Sequence, residues 1–116
     1  MPMDVRLVQL LGSFITARSQ YALARLELAM HFPKDPAPPV IDRLAEPTEQ
    51  ALREEWPLLE EQLEAALAYA AGLERSKRRK VMKDEGFRYL QRSLRELDQY
   101  ARAIRWVITV TETGER

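Results

Sequence analysis

From residue 3 to residue 32 an apolar side chain recurs every three or four positions without a miss. Leu7, Leu10, Phe14, Ala17, Tyr21, Ala24 and Leu28 fall at heptad spacing, a period that puts them on one face of an α-helix. Val5, Val8, Leu11, Ile15, Ala22, Leu26 and Ala29 widen this stripe beyond the narrow seam of a coiled coil. A helix this apolar has to be covered on more than one side, so we expect it at the centre of a bundle.

Two further seams follow the same rule. Leu52, Trp56, Leu59, Leu63, Ala66, Ala70 and Leu73 alternate steps of four and three, as do Phe87, Leu90, Leu94, Leu97, Ala101, Ile104 and Ile108. The expected helices are therefore 3–32, 47–72 and 87–108. Pro47 stands at a first-turn position, with Glu49 favoured there by the helix dipole. Pro57 interrupts the second seam without shifting its phase, which predicts a kink or a near-collinear restart. The segment 33–39, Pro-Lys-Asp-Pro-Ala-Pro-Pro, breaks the helical pattern, because proline fixes φ, lacks a donor and excludes helical geometry before it. It reads as a stiff linker, followed by a short helical turn at Val40 to Ala45. Residues 73–86 lose the apolar seam and read as a basic turn region. The β-branched tail after Ile108 frays or extends.

At 116 residues the chain fits one domain, 1–116. Its expected architecture is all-α, an elongated antiparallel helical bundle of three long helices plus a short connecting helix. With 46% hydrophobic and 31% charged residues, it can bury a core unaided. A helix of about 30 residues is about 45 Å long, whereas a compact chain of this size has a radius of gyration of about 13 Å. A rod leaves apolar flank uncovered, which favours a homo-oligomer or a place in a larger complex.

Composition removes whole classes of chemistry. There is no cysteine, hence no disulfide, thiolate nucleophile or cysteine-bound metal. His31 is the one histidine, so histidine-pair metal sites lack a partner, and Ser13, Ser19, Ser76 and Ser93 have no histidine nearby in sequence to form a triad. The glycines are isolated, which leaves no phosphate-cradling loop. Glu54, Glu55, Glu60, Glu61 and Glu64 lie off the second seam and read as a solvated face. We therefore expect no enzyme activity, cofactor or metal site. Leu7 to Ala17 has the apolar character of a signal-peptide core, but the pattern keeps phase past Arg18 and Arg25 to Leu28, which a cleaved signal has no reason to do. No apolar run reaches the length of a membrane span. The expectation is a cytoplasmic protein without membrane contact.

Charge is distributed unevenly. From Arg75 to Lys83 six of nine residues are basic (Arg75, Lys77, Arg78, Arg79, Lys80 and Lys83) and none is acidic. Arg88, Arg92, Arg95 and Arg102 continue at heptad-related positions along the third helix. These arginines could pair across the bundle with the glutamates of the second helix, each exposed pair contributing a few tenths of a kcal/mol. The 75–83 cluster has fewer acidic neighbours and reads either as a solvated basic turn or as a surface for an anionic partner, the backbone of DNA or RNA or an acidic protein patch. It has no interleaved aromatic residue for base stacking.

The resulting expectation is a non-catalytic bundle subunit that binds a nucleic-acid backbone through Arg75, Lys77, Arg78, Arg79, Lys80, Lys83, Arg88 and Arg92 within a larger nucleoprotein complex. In size and helical character it is similar to the small subunits of CRISPR effector complexes. The alternative is a protein-only module (chaperone, inhibitor or dimeric adaptor) anchored by Trp56, Tyr100 and Trp106, since aromatic residues dominate binding hot spots. A more distant one starts from Arg25 and His31, whose pairing resembles the arginine–histidine motif of HEPN ribonucleases. That resemblance implies histidine acid–base work and an arginine on the developing phosphate charge. Here the two are six residues apart, with Leu26 where those enzymes carry a polar residue.

Overall fold

The structure, a computed structural model, describes residues 4–46, 48–75 and 85–114. They form three α-helices: α1 (Val5–His31), α2 (Glu49–Arg75) and α3 (Glu85–Gly114). The starts of α1 and α2 are set by local chemistry. Asp4 caps α1, its carboxylate accepting the Arg6 N–H at 2.7 Å. Thr48 caps α2, its hydroxyl accepting the Ala51 N–H at 3.1 Å. Such caps satisfy donors that a helix leaves unpaired in its first turn. Pro57 lies inside α2, which runs through it as one helix, and its ring faces solvent. The tail beyond Ile108 extends α3 to Gly114.

The core follows the three seams with small changes. On α1 Leu11 is buried in place of Leu10, and on α3 Val107 in place of Ile108. Phe14, Tyr21, Leu59, Phe87, Leu90, Leu97 and Ile104 are almost wholly enclosed, each burial stabilising the fold by about 1.5–3 kcal/mol. The predicted second cover over α1 is absent from its outward side, where Val5, Val8, Leu23, Leu26 and Met30 stay exposed. The bundle is long, 53 × 23 × 19 Å, with a radius of gyration of 15.6 Å.

The linker is the part that differs most from expectation. No short connecting helix forms at Val40 to Ala45; the segment is extended and runs back along the bundle as a strap. Its carbonyls have no helical or sheet partner, and long side chains supply the missing donors. From α1, Arg25 Nε donates to the Pro38 carbonyl at 2.5 Å, the Tyr21 hydroxyl to that of Pro39 at 2.5 Å, and Arg18 Nη1 to that of Arg43 at 2.6 Å. From α2, the Tyr69 hydroxyl donates to the Pro36 carbonyl at 2.8 Å, and Gln62 Oε1 accepts the N–H groups of Asp42 and Arg43 at 3.1 and 3.3 Å. Pro38, Ile41 and Leu44 plug into the core.

The order of these bonds fixes the topology. As the strap advances from Pro36 to Arg43, its partners recede along both α1 and α2, so these two helices run in the same direction. The strap fills the space between them, and α1 and α2 make no close backbone approach. Helix α3 is antiparallel to α2, with Gln91 donating to Glu74 at one end and Arg105 bound to Glu60 at 3.1 Å at the other. It is consequently antiparallel to α1 as well, against which it packs closely. The course is up, back along the strap, up, and down.

Candidate functional site

On α3 the buried face is Phe87, Leu90, Leu94, Leu97, Ala101 and Ile104. Opposite it, in steps of four and three, stand Arg88, Arg92, Arg95, Gln99, Arg102 and Trp106, every one exposed. A rise of about 1.5 Å per residue spaces Arg88 to Arg102 over about 21 Å.

The cross-bundle pairing expected for these arginines does not form. Arg102 is bound to Asp98 of its own helix at 3.2 Å. The bridge that does reach α2 is made by Arg105, to Glu60. Among the described residues, Arg88, Arg92 and Arg95 make no ion pair and no side-chain hydrogen bond. The reason is geometric: they point directly away from the bundle, and the glutamates of α2 lie beyond the core face. Three guanidinium groups, each permanently charged and able to fork onto two oxygens of one anion, therefore stand in line facing water.

Of the other expected contact residues, Arg75 ends α2 and is exposed. Lys77, Arg78, Arg79, Lys80 and Lys83 lie outside the described residues. The three aromatic anchors part company. Trp56 and Tyr100 are half-buried against the core, and the Trp56 indole N–H is enclosed without an acceptor. Tyr100 borders a shallow, mostly polar groove with Gln9, Gly12, Thr16 and Glu96, between α1 and α3. Trp106 alone of the three is freely presented, 59% exposed at the far end of the arginine line.

Arg25 and His31 lie apart on α1. Arg25 is engaged with the Pro38 carbonyl, and His31 sits exposed at the last residue of α1, about 9 Å farther along the axis. Among the described residues no group of three His, Asp or Glu side chains could hold a metal. Nor is any helix long and apolar enough to cross a membrane.

Sequence reasoning missed the clamp on the strap. Burial pushes the Tyr21 phenol well above its ordinary value, with Arg25 acting against it, so this group keeps its proton and donates to Pro39. The side-chain hydrogen bond from Gln62 holds the Asp42 carboxyl below its usual range, against desolvation and helped by Arg43; Gln62 Nε2 donates to Asp42 Oδ1 at 2.6 Å. The available signal was the spacing Arg18–Tyr21–Arg25 and Gln62–Tyr69, donor-tipped side chains at helical intervals beside a proline-rich run. No protein-family model, curated protein or solved structure matches this chain.

Proposed function

We propose that this chain is a non-catalytic, cytoplasmic bundle subunit that binds the backbone of a nucleic acid along α3 within a larger complex. One observation carries the reading: among the described residues Arg88, Arg92 and Arg95 form an exposed line without acidic partners, and in sequence the basic run Arg75 to Lys83 ends shortly before it, with Asp84 and Glu85 in between. Unpaired arginines on a rigid helix keep their full charge for a ligand, and their side chains do not have to break an internal bridge first. The contact is to phosphate rather than to bases, since the line has no aromatic residue until Trp106 and offers no stacking platform.

Fluorescence anisotropy with labelled DNA and RNA across a salt series tests this. The wild-type chain binds at low salt with an affinity that falls steeply as salt rises. Replacing Arg88, Arg92 and Arg95 together by Gln lowers the slope of log K against log salt by about two to three, the signature of about three lost phosphate contacts. Stability stays within about 0.5 kcal/mol, as for other exposed positions. No binding at low salt overturns the proposal. The second reading, a protein-only module, rests on the exposure of Trp106; it takes over if Trp106→Ala abolishes partner capture while the triple Gln variant leaves capture intact.

A further inference from the structure

The outward side of α1 has the same spacing as the arginine line and the opposite chemistry. Val5 and Val8 stand at one end, and Leu23, Leu26 and Met30 at the other. Between them the ridge narrows to Gly12, Thr16 and Ser19, all exposed. Over about 37 Å of helix this ridge carries no charge. Five of the nine large hydrophobic side chains exposed among the described residues lie on it.

We infer that this ridge is the interface between two copies of the chain, paired antiparallel through α1 about a two-fold axis. Two observations agree on that occupant. The first is size: laid antiparallel on itself, the ridge sets Gly12 opposite Leu23 of the other copy, Thr16 opposite Ser19, and Val5 opposite Met30. The small centre lets two helix axes approach to the close end of the usual 8–10 Å. Space is free there, because a Cβ built on Gly12 meets nothing within 4 Å. The second is charge. Arg6 and Glu27 flank the ridge on the same side at opposite ends, so the two-fold axis brings each Arg6 toward the other copy's Glu27. Within one chain Arg6 makes only a loose, exposed contact to Asp4 at 3.6 Å, and Glu27 has no partner among the described residues.

A two-fold axis makes every contact twice, which gives the test its leverage. Sedimentation equilibrium of the full chain is expected to give twice the chain mass at micromolar concentration. Leu23→Glu puts a carboxylate from each copy into the apolar seam and is expected to weaken association by about 100-fold. Its circular-dichroism spectrum should match that of the wild type, because Leu23 is 64% exposed and plays no part in the core. Arg6→Glu alone opposes like charges twice and weakens association by roughly tenfold; adding Glu27→Arg restores it. A wild-type chain that remains monomeric up to about 1 mM, the weak end of specific association, overturns the inference. So does a dimer indifferent to Leu23→Glu, or one in which the double charge swap fails to restore the loss.

Discussion

Helices α1 and α3 each carry arginines seven residues apart, Arg18 and Arg25 on one, Arg88 and Arg95 on the other, and the two pairs are put to opposite uses. Those of α1 are half-buried and donate to the carbonyls of Arg43 and Pro38. Those of α3 are exposed and donate to no group among the described residues. Identical side chains at identical spacing thus act as structure on one helix and stand as surface on the other. What separates them is the neighbour: α1 lies beside an extended segment whose carbonyls need donors, whereas α3 turns that face to water. The comparison predicts unequal effects of one substitution. Arg25→Met keeps the apolar stem but removes a charged donor from a carbonyl, and is expected to cost about 1.5–3 kcal/mol. Arg95→Met is expected to stay within about 0.5 kcal/mol. Urea denaturation of the two variants side by side measures the gap, and equal losses would break the comparison.

That contrast also marks where the sequence was readable. The three seams were legible because a heptad-spaced apolar face must be buried, whatever else surrounds it; Phe14, Leu59 and Ile104 are enclosed as their spacing requires. The existence of a proline-rich break was equally plain. Its path was not, since proline limits φ but says nothing about which groove an extended segment enters. Placing the strap between α1 and α2 depends on matching its carbonyls to Arg18, Tyr21, Arg25 and Tyr69 and its N–H groups to Gln62, a long-range relation without periodicity of its own. The same limit explains the arginines of α3. Their heptad spacing was visible, but whether α2 offers them acids depends on the helix rotations, and the rotations turn Arg88, Arg92 and Arg95 away.

The strap bears a cost that α3 does not. Leu44 sits at φ 60° with its side chain wholly enclosed, a left-handed conformation that disfavours a side chain by roughly 1–2 kcal/mol. Burial of the isobutyl group, of about the same size or larger, holds it there. Leu44→Gly therefore removes strain and core contact together and comes out near zero or destabilising by about 1–2 kcal/mol. Leu44→Asn separates the two contributions, because Asn tolerates this backbone but buries poorly, and a loss larger than that of Gly assigns the site to packing. On α3 no described residue has a positive φ, so the arginine line is displayed by an unstrained helix, and substitutions there should show no such offset.

The smallest expected effect lies in the pH dependence, and it distinguishes the strap from the arginine line through the presence of an acid. Asp42 is held below its ordinary carboxylate value chiefly by the Gln62 amide, so its charged form is favoured in the folded chain. A depressed folded pKa contributes stability that is present above the unfolded value, near 3.8, and is lost as pH falls through the folded one. Wild type and Asp42→Asn should therefore differ most at neutral pH and converge as the solution is acidified below about pH 4. Gln62→Leu removes the bond from the other side and should flatten the same limb. Arg88, Arg92 and Arg95 have no acidic partner among the described residues, so the triple Gln variant should run parallel to wild type over the entire range. A gap between those two curves that is present at neutral pH and closes below about pH 4 would mean that the arginine line is tied to a carboxylate after all, and would move it from the surface to the structural side of the comparison.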